Sequence, residues 1–571
     1  MRRIFWTLLL MSFSFKEVGN DCVSTDPSPF VLSSPVRSPI SMTGSFGELR
    51  NNHFHAGIDI RSATGVGGDE ILAAATGFVR KISISSTDYG KSIYIEHPNG
   101  YTTLYAHLEK FRPDLDAAVK THQYKVQKFE TDIDFGPKDW PVTVGDVIGY
   151  MGNTGASKGA HLHFELRETN SSEVLDPGEY GIPIQDNIAP LIRRVKLYGF
   201  DSQGNESSSQ IFYASKLNKS THLISIPGDM FSLGVDALDR SNNSWNWTGV
   251  KSIEMKVDGI VVYQFSTDRW SLEDTRCINA HIDYPSKLNA QGQFQRCFKL
   301  KGNHIGLYKV LQNEGTFLMA DGFDHNVSLT VKDSRHNESS VHFLVRKVPY
   351  SERSKNVDLD QVLHYDTDNL VQFQSGYFHI PAGSLYDNSY YRSDSFINSS
   401  SMALCNWIGC YPGKDPLHGE IEIALRPTRQ MDPGELDKCF VAVKRGSNYV
   451  SCGGKWVDGY LKSTYKSLGY YSIMMDTVAP RIAPIAYKSN MRNNKYMSFR
   501  IQDNIPALGS AEHPRCDAYL DGQWILMEYD AKNHLIKHQF EDWLSPGKHE
   551  LILVATDDRQ NSRSYAYNFI R

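Results

Sequence analysis

Residues 53–59 read HFHAGID and residues 161–165 read HLHFE, and these two stretches decide how the fold of the N-terminal third is interpreted. Their isoleucine and phenylalanine content suits β-strands better than helices. Residues an even number of positions apart on a strand point to the same face. His161 and His163 therefore share one face, while the apolar residues beside them point the other way. The sequence thus predicts two imidazoles presented together on one strand.

The first stretch adds a second pair of polar side chains at even spacing. His55 and Asp59 are four positions apart, so they can also share a face of a strand. Two neutral imidazoles and one carboxylate form a ligand set typical of catalytic zinc, with a fourth position left for water. Zinc lowers the pKa of such a water to about 7. Three of these four residues would hold the metal, and the spare histidine would handle protons.

A third histidine-bearing segment is LYAHL at residues 104–108, which contains His107. One histidine in a strand is more often a hydrogen-bonded or surface residue than a metal ligand. Three such segments in strand-like runs, with acidic partners at even spacing, are poorly explained by chance. They favour a metal site.

These segments resemble the lysostaphin/LytM type of zinc metallopeptidase, which cleaves peptide cross-links in bacterial peptidoglycan. The family pattern is a histidine, three residues, an aspartate and then a distant His-x-His. The resemblance implies that one Zn²⁺ is held by His55, Asp59 and His163. It also implies that His161 and His107 are the catalytic histidines.

The resemblance covers roughly residues 40–180 and includes two glycine turns. GDVIG at 145–149 and GNTG at 152–155 are similar to the turns that precede the His-x-His strand of the family. One small departure is Ala160, where the family commonly has proline. The resemblance and the glycine turns imply an antiparallel β domain with a zinc groove that binds an extended peptide.

A larger departure is the run from residue 109 to 144, which is far longer than a tight connection requires. Within it, residues 114–120 read DLDAAVK and look helical. Two interpretations of this insertion remain open. It either lies beside the cleft and restricts or selects the substrate, or it is a surface excursion.

Length and charge narrow the class of protein. A chain of 571 residues is too long for one core and predicts three or four domains. Lys+Arg number 60 against 65 Asp+Glu, so nothing in the charge balance argues for nucleic-acid binding. An aromatic content of 12% suits β-rich extracellular domains.

The N-terminus has the character of an export signal. Arg2 and Arg3 precede a short apolar run at 4–11, whereas a membrane span needs about 20 residues. Lipid attachment at Cys22 is disfavoured because residues 19–21 match a lipidation signal poorly. We predict a protein exported to the periplasm or cell envelope, with no transmembrane span after processing.

Eight cysteines are compatible with an oxidising location. Pairs that lie close enough along the chain to be candidate disulfides are Cys277 with Cys297, Cys405 with Cys410, and Cys439 with Cys452. Connectivity cannot be deduced from sequence alone. The absence of cysteines from the predicted zinc segment, and of any Cys-x-x-Cys pair, argues against a thiolate metal site.

Repeated acidic turns after residue 180 indicate further β domains. DNIAP at 186–190 is echoed by DTVAP at 476–480, and Asp and Asn favour turns after strands. The fold class is therefore mainly β. The predicted organisation is a signal peptide at 1–21, a LytM-like domain at 23–180 with its insertion at 109–144, Ig-like β-sandwiches at 186–348 and 476–571, and a β-rich domain at 355–475.

The predicted function is zinc-dependent hydrolysis of peptide cross-links or stem peptides in peptidoglycan, for cell-wall remodelling. In the implied mechanism, His161 or His107 takes the proton of the attacking water. The alternative is a non-catalytic protein that binds the wall or activates another hydrolase. Such relatives typically lose the ligand set, which this chain retains. The expected partners are the peptidoglycan peptide and a wall or envelope protein bound through the C-terminal modules.

Overall fold

The computed structural model describes residues 30–217, 222–349, 361–397, 403–508 and 513–571. Within these ranges the chain is mainly β, in antiparallel sheets, as the fold class predicted. The predicted signal peptide and Cys22 lie outside the described residues. In the part of the chain that is described, no helix is both long and apolar enough to cross a membrane.

The N-terminal region carries the histidine motifs. Its elements are β1 (Met42–Gly44), β2 (Ile58–Arg61), β3 (Glu70–Leu72), β4 (Gly77–Ile84), β5 (Lys91–Glu96), β6 (Tyr101–Phe111), α1 (Pro113–Val126), β7 (Thr131–Asp134), β8 (Pro141–Val142), β9 (Val147–Met151), β10 (His161–Glu168), β11 (Val174–Leu175) and a 3-10 turn at Pro177–Tyr180. The main path of the sheet runs β1-β2-β10-β6-β5-β4-β7. Strand β10 therefore lies between β2 and β6, which brings all three histidine segments together.

The segment before β2 depends on a glycine. The spacing had predicted that His55 lies on a strand with Asp59. Strand β2 begins only at Ile58, so His55 lies in the segment before it. A Cβ atom on Gly57 would lie 2.3 Å from the carbonyl oxygen of Phe164. Only glycine allows the backbone to approach β10 this closely. That approach places the His55 ring beside His163.

The insertion contains the predicted helix, and α1 is longer than the segment 114–120. Pro113 occupies the first turn and is followed there by Asp114 and Asp116, which suit the positive end of the helix dipole. The far end of α1 packs against the C-terminal region. Tyr124 donates a hydrogen bond of 2.7 Å to Glu541 Oε1, and Lys120 Nζ lies 2.8 Å from the same oxygen.

A second region follows the histidine sheet. Its elements are β12 (Leu191–Phe200), β13 (Glu206–Tyr213), α2 (Ala214–Leu217), β14 (Leu223–Pro227), β15 (Met230–Leu238), β16 (Ser252–Val257), β17 (Ile260–Ser266), β18 (Arg269–Trp270), a 3-10 helix (Leu272–Cys277), α3 (Ile278–His281), α4 (Tyr284–Leu288), β19 (Gln295–Arg296), β20 (Tyr308–Leu311), a 3-10 turn (Gln312–Gly315), β21 (Phe317–Leu318), β22 (His325–Lys332) and β23 (Glu338–Val348). One sheet runs β13-β12-β15-β19, and the other runs β14-β23-β22-β16-β17-β20. Strands β14 and β23 pair in parallel.

The first two regions share a hydrophobic core. The rings of Phe46 and Trp270 lie 4.4 Å apart, and β11 pairs with β18 across the junction. Phe54, next to His55, packs 6.3 Å from Phe265. Because these apolar contacts are buried, the second region holds the histidine segment in place. The predicted boundary near residues 180–186 stays a prediction, since the core runs through it.

The third region is also built from two sheets. Its elements are β24 (Gln361–Leu363), β25 (Asn369–Phe373), β26 (Gly376–Ile380), β27 (Ser389–Phe396), β28 (Trp407–Tyr411), β29 (Pro416–Leu425), α5 (Pro433–Leu436), β30 (Cys439–Arg445), β31 (Asn448–Ser451), β32 (Lys455–Val457), β33 (Tyr460–Ser467) and β34 (Tyr470–Met475). The sheets run β24-β27-β28-β34-β30-β31 and β25-β26-β29-β33-β32. Residues from both sheets fill one core.

The C-terminal region is a smaller pair of sheets. Its elements are β35 (Arg481–Ala486), β36 (Tyr496–Gln502), β37 (Arg515–Leu520), β38 (Gln523–Trp524), β39 (Glu528–Asp530), a 3-10 turn (Ala531–Asn533), β40 (Leu535–Gln539), β41 (Lys548–Thr556) and β42 (Ser562–Ile570). The sheets run β35-β36-β40-β39 and β38-β37-β41-β42. Their facing side chains form one core, which is the packing of a β-sandwich.

The candidate disulfides are not formed among the described residues, where Cys277, Cys297, Cys405, Cys410, Cys439, Cys452 and Cys516 are free thiols. The strand register explains why Cys439 and Cys452 are not bonded to each other. The Cys452 amide donates a 2.8 Å hydrogen bond to the Val441 carbonyl, so Cys452 lies across from Val441 and not from Cys439. Closeness along the chain does not make two strand residues face each other.

Candidate metal centre

Two adjacent strands position the polar residues of the site. His163 on β10 lies directly opposite Asp59 on β2, and His161 lies opposite Arg61. Leu162 and the other apolar residues of β10 are fully buried on the opposite face. The predicted alternation along β10 is therefore present, and it turns both histidines toward the same cleft.

Three side-chain atoms converge in this cleft. His55 Nε2 lies 3.0 Å from Asp59 Oδ1 and 3.0 Å from His163 Nδ1. The distance between His163 Nδ1 and Asp59 Oδ1 is 2.9 Å. Ligand atoms about 2.0–2.1 Å from a tetrahedral zinc ion stand about 3.3 Å apart. The triangle is slightly smaller than this and needs only a small expansion to accept the ion.

The hydrogen bonds behind the two rings leave lone pairs facing the cleft. His55 Nδ1 donates to the Ser45 carbonyl at 2.8 Å, and His163 Nε2 donates to Glu165 Oε1 at 2.8 Å. The opposite nitrogens then meet Asp59 Oδ1 as acceptors, with no hydrogen atom between the three. Buried acceptors in such contact need a cation or an added proton. The donor set therefore fits a divalent metal ion.

The ionisation of the cluster shows the same need for positive charge. Burial by itself lowers the pKa of His163, but its hydrogen bonds to Asp59 and Glu165 raise that pKa to about 9. Burial raises the pKa of Asp59, while His55 and His163 hold it well below its usual range. Without a cation, a proton takes the central position. Metal binding must then release that proton.

A buried network supports His163 from behind. Glu165 is fully buried; it accepts a 2.6 Å hydrogen bond from the Tyr89 hydroxyl and pairs with Arg167 at 2.6 Å. On the other side of the cluster, Arg50 Nη2 lies 2.8 Å from Asp59 Oδ2. The motifs of the sequence predict no role for Glu165, Tyr89 or Arg167. The even spacing of His163 and Glu165 was the available signal for the first of them.

His161 and His107 flank the cluster without joining the triangle. His161 Nδ1 donates to the Gly159 carbonyl at 2.8 Å, and its Nε2 lies 3.6 Å from Asp59 Oδ1. His107 Nδ1 donates to the Thr154 carbonyl at 2.9 Å. The two rings lie 4.8 Å apart. The structure thus brings all five predicted site residues together, with these two at the edge of the cluster.

The backbone and ionisation of His107 are unusual. Its φ of 63° is in the left-handed region, which is uncommon for residues other than glycine and concentrates at functional sites. The register of β6 against β5 shifts between residues 105 and 108, which span His107, as in a β-bulge that redirects a side chain. Burial and the neighbouring His163 and His161 lower the pKa of His107 to about 3. Burial also lowers the pKa of His161. Both rings are therefore neutral at pH 7.

The cluster lies at the bottom of an open cavity of about 780 Å³. Arg50, Arg61, Tyr89 and Lys158 give its walls a basic and aromatic character, and Asn246 reaches it from the second region. No residue of the insertion 109–144 lines this cavity. The first interpretation placed the insertion beside the cleft, and no such contact is observed. Helix α1 packs on the C-terminal region.

Comparison with known proteins identifies this part of the chain. Residues 53–127 and 136–177 match peptidase family M23, and residues 360–476 match the Zu5-like domain family. The DD-carboxypeptidase/endopeptidase Mpg of Neisseria meningitidis serogroup B is 32% identical over 119 residues, which are 21% of this chain and 21% of that protein. The alignment thus spans about a fifth of the length of the curated relative.

Two solved structures resemble the same part of the chain. The catalytic domain of the M23 protein EnpA from Enterococcus faecalis is 24% identical, with 27% of this chain and 98% of that chain covered and a TM-score of 0.20. The lysostaphin catalytic domain from Staphylococcus simulans is 22% identical, with 25% and 91% covered and a TM-score of 0.19. At such TM-scores neither similarity indicates an activity.

The histidine region resembles peptidase family M23. Its motifs make it one of the lysostaphin/LytM type, as the sequence analysis predicted. The β-rich region between residues 360 and 476 is Zu5-like.

Proposed function

We propose that the protein is a zinc-dependent endopeptidase that hydrolyses peptide cross-links or stem peptides of bacterial peptidoglycan. The observation that carries the proposal is the convergence of His55 Nε2, Asp59 Oδ1 and His163 Nδ1 within 3.0 Å of one another. A complete set of three metal ligands flanked by two neutral histidines is typical of a zinc hydrolase. A domain that only binds the wall would not need these five side chains.

The residues of the cleft have separate tasks in this reaction. When bound, zinc supplies an acidified water and a Lewis acid for the scissile carbonyl. The fixed Nδ1–H of His161 makes its Nε2 the basic nitrogen beside the cluster, so His161 takes the proton of the attacking water. His161 then gives this proton to the leaving amine, either directly or by way of His107, whose ring lies 4.8 Å away.

Glu165 holds the His163 ring in the tautomer that directs a lone pair into the cluster, as outer-shell carboxylates do for metal-bound histidines. Arg50 performs a similar task for Asp59 by occupying its second oxygen. These contacts fix the ligand geometry before substrate arrives, so less reorganisation is needed during the reaction.

The substrate class rests on the family match and on the curated relative. The Neisseria protein is named as a DD-carboxypeptidase/endopeptidase, and a cross-linked or stem peptide in extended form suits an open cleft of this volume. The location that we propose is the periplasm or cell envelope. The C-terminal modules would then position the domain on the wall or on an envelope protein.

The test is to incubate the purified protein with peptidoglycan, with and without a zinc chelator, and to analyse the released muropeptides by mass. New amino termini in stem or bridge peptides, lost on chelation and restored by zinc, support the proposal. Bound zinc without any cleavage would overturn it in favour of the non-catalytic alternative. The Asp59→Asn variant is the matched inactive control.

A further inference from the structure

A second group of metal-ligating side chains lies at the junction of the second and third regions. Cys277 ends the 3-10 helix Leu272–Cys277, and His304 follows in the loop between β19 and β20. His418 comes from β29 of the Zu5-like region. Their ligand atoms all lie within 4.8 Å of one another. The group is separate from the cleft that contains His55.

The distances are those of a shared ion. Cys277 Sγ lies 3.7 Å from His304 Nε2 and 3.9 Å from His418 Nδ1. A tetrahedral zinc ion with a sulfur about 2.3 Å away and a nitrogen about 2.0–2.1 Å away separates those two atoms by about 3.6 Å. The two imidazole rings are 4.6 Å apart and nearly perpendicular. They meet edge to face and are not stacked.

Neighbouring hydrogen bonds hold the ligands in this arrangement. Arg276 Nη2 donates to the Leu417 carbonyl at 2.9 Å, so the chain neighbours of Cys277 and His418 are tied to each other. The Tyr386 hydroxyl donates to the Arg276 carbonyl at 2.6 Å. A site held by its surroundings needs little reorganisation to bind an ion.

The geometry does not suit a nucleophilic cysteine. Asp274 Oδ1 lies 3.1 Å from His304 Nε2, the same nitrogen that is nearer to Cys277 Sγ. A nucleophile and an orienting carboxylate must use opposite nitrogens of the histidine. Cys277 is also fully buried, and burial raises the pKa of its thiol to about 11. A thiol of this kind becomes a thiolate when a cation displaces its proton.

We propose that Cys277, His304 and His418 bind a second divalent ion of the zinc type, and that this ion joins the second region to the Zu5-like region. One thiolate and two imidazoles form a set that selects zinc over magnesium or calcium. The carboxylate of Asp274 adds negative charge beside His304. In this role the ion links the two regions while its fourth position is left for water, and the site opposes the sequence-based argument against a thiolate metal site.

The experiment replaces zinc by cobalt in the whole protein and records the thiolate-to-cobalt charge-transfer absorption in the near ultraviolet. Only a site with a cysteine ligand gives this band, so the cleft cannot produce it. We expect the band in the wild-type protein and in Asp59→Asn. We expect it to be lost in Cys277→Ser and kept in the control Cys516→Ser, whose thiol lies in the C-terminal region.

Metal analysis gives the second readout. The wild-type protein should hold one zinc equivalent more than Cys277→Ser, and Asp59→Asn should lose a different equivalent. If Cys277→Ser fails to fold, His418→Ala removes a partly exposed ligand and should abolish or shift the band. A wild-type protein without the band, or a band that survives in both variants, would overturn the proposal.

Discussion

Asp59 lies directly opposite His163 across the β2–β10 pair, and its Oδ1 is 2.9 Å from His163 Nδ1. Cross-strand neighbours are the closest side chains that a sheet can offer. We therefore expect Asp59→Asn, which keeps the shape but removes the charge, to abolish zinc binding in the cleft. The loss should exceed the roughly 10–100-fold typical of an outer-shell change. Metal content after dialysis measures it, with circular dichroism as the check of folding. An unchanged metal content would exclude Asp59 as a ligand.

His107 should be dispensable for the metal and necessary for turnover. Its Nδ1 is bonded to Thr154 and its ring lies beside His161, outside the ligand triangle. We expect His107→Ala to retain zinc and to lower kcat on peptidoglycan peptides by about 10²–10⁴-fold, the usual contribution of a positioned acid or base. Steady-state kinetics with the zinc-loaded variant provides the measurement. Full activity would show that the role is assigned wrongly.

Glu165 should influence metal binding although it does not face the ion. Replacing it by Gln removes the charge that orients the His163 ring, and zinc affinity or turnover should fall by about 10–100-fold. Competition with a coloured chelator measures the affinity. Glu168→Gln is the matched control, because Glu168 ends the same strand and its carboxylate contacts Arg269 and Ser171 away from the cluster. Equal effects of both substitutions would contradict the supporting role.

Gly57→Ala should destabilise the histidine region. The added Cβ would stand 2.3 Å from the Phe164 carbonyl oxygen, so the backbone must move away from β10. Overpacking of this kind costs about 1–3 kcal/mol. Calorimetry should show a lower transition midpoint for this region, while Gly306→Ala, which meets nothing within 4 Å, should leave it unchanged. A midpoint like that of the wild type would mean that the segment can shift freely.

Glu541→Gln tests the position of the insertion. Glu541 accepts from Tyr124 and pairs with Lys120 on α1, and hydrogen bonds to a charged group contribute about 1.5–3 kcal/mol each. We expect faster proteolysis within α1 and no change in peptidase activity, because the insertion does not line the cleft. The exposed Glu550→Gln is the control. Altered activity in this variant would return the insertion to a role in substrate selection.

Local spacing made much of the site predictable. His161 and His163 had to share a face, because the alternation of a strand is a property of the backbone. The pattern of His55 and Asp59 could be matched to the family from residue types alone. The spacing did not reveal that His55 lies before β2, since that depends on how closely Gly57 can approach Phe164.

Contacts between distant segments could not be predicted from the sequence. The insertion was recognised by its length, but its docking on Glu541 depends on where the C-terminal region folds back. The candidate disulfide between Cys439 and Cys452, chosen by closeness along the chain, was not formed, because strand register decides which residues face each other.

The sequence by itself determined the ligand types, their faces on the strands and the mainly β class of the fold. These are short-range properties, set by side-chain chemistry and by the period of a strand. Only the tertiary structure decided that Tyr89 and Arg167 would hold Glu165, and that Cys277 would meet His418 from 141 residues away. Such long-range contacts depend on the packing of whole sheets, and no local sequence pattern predicts them.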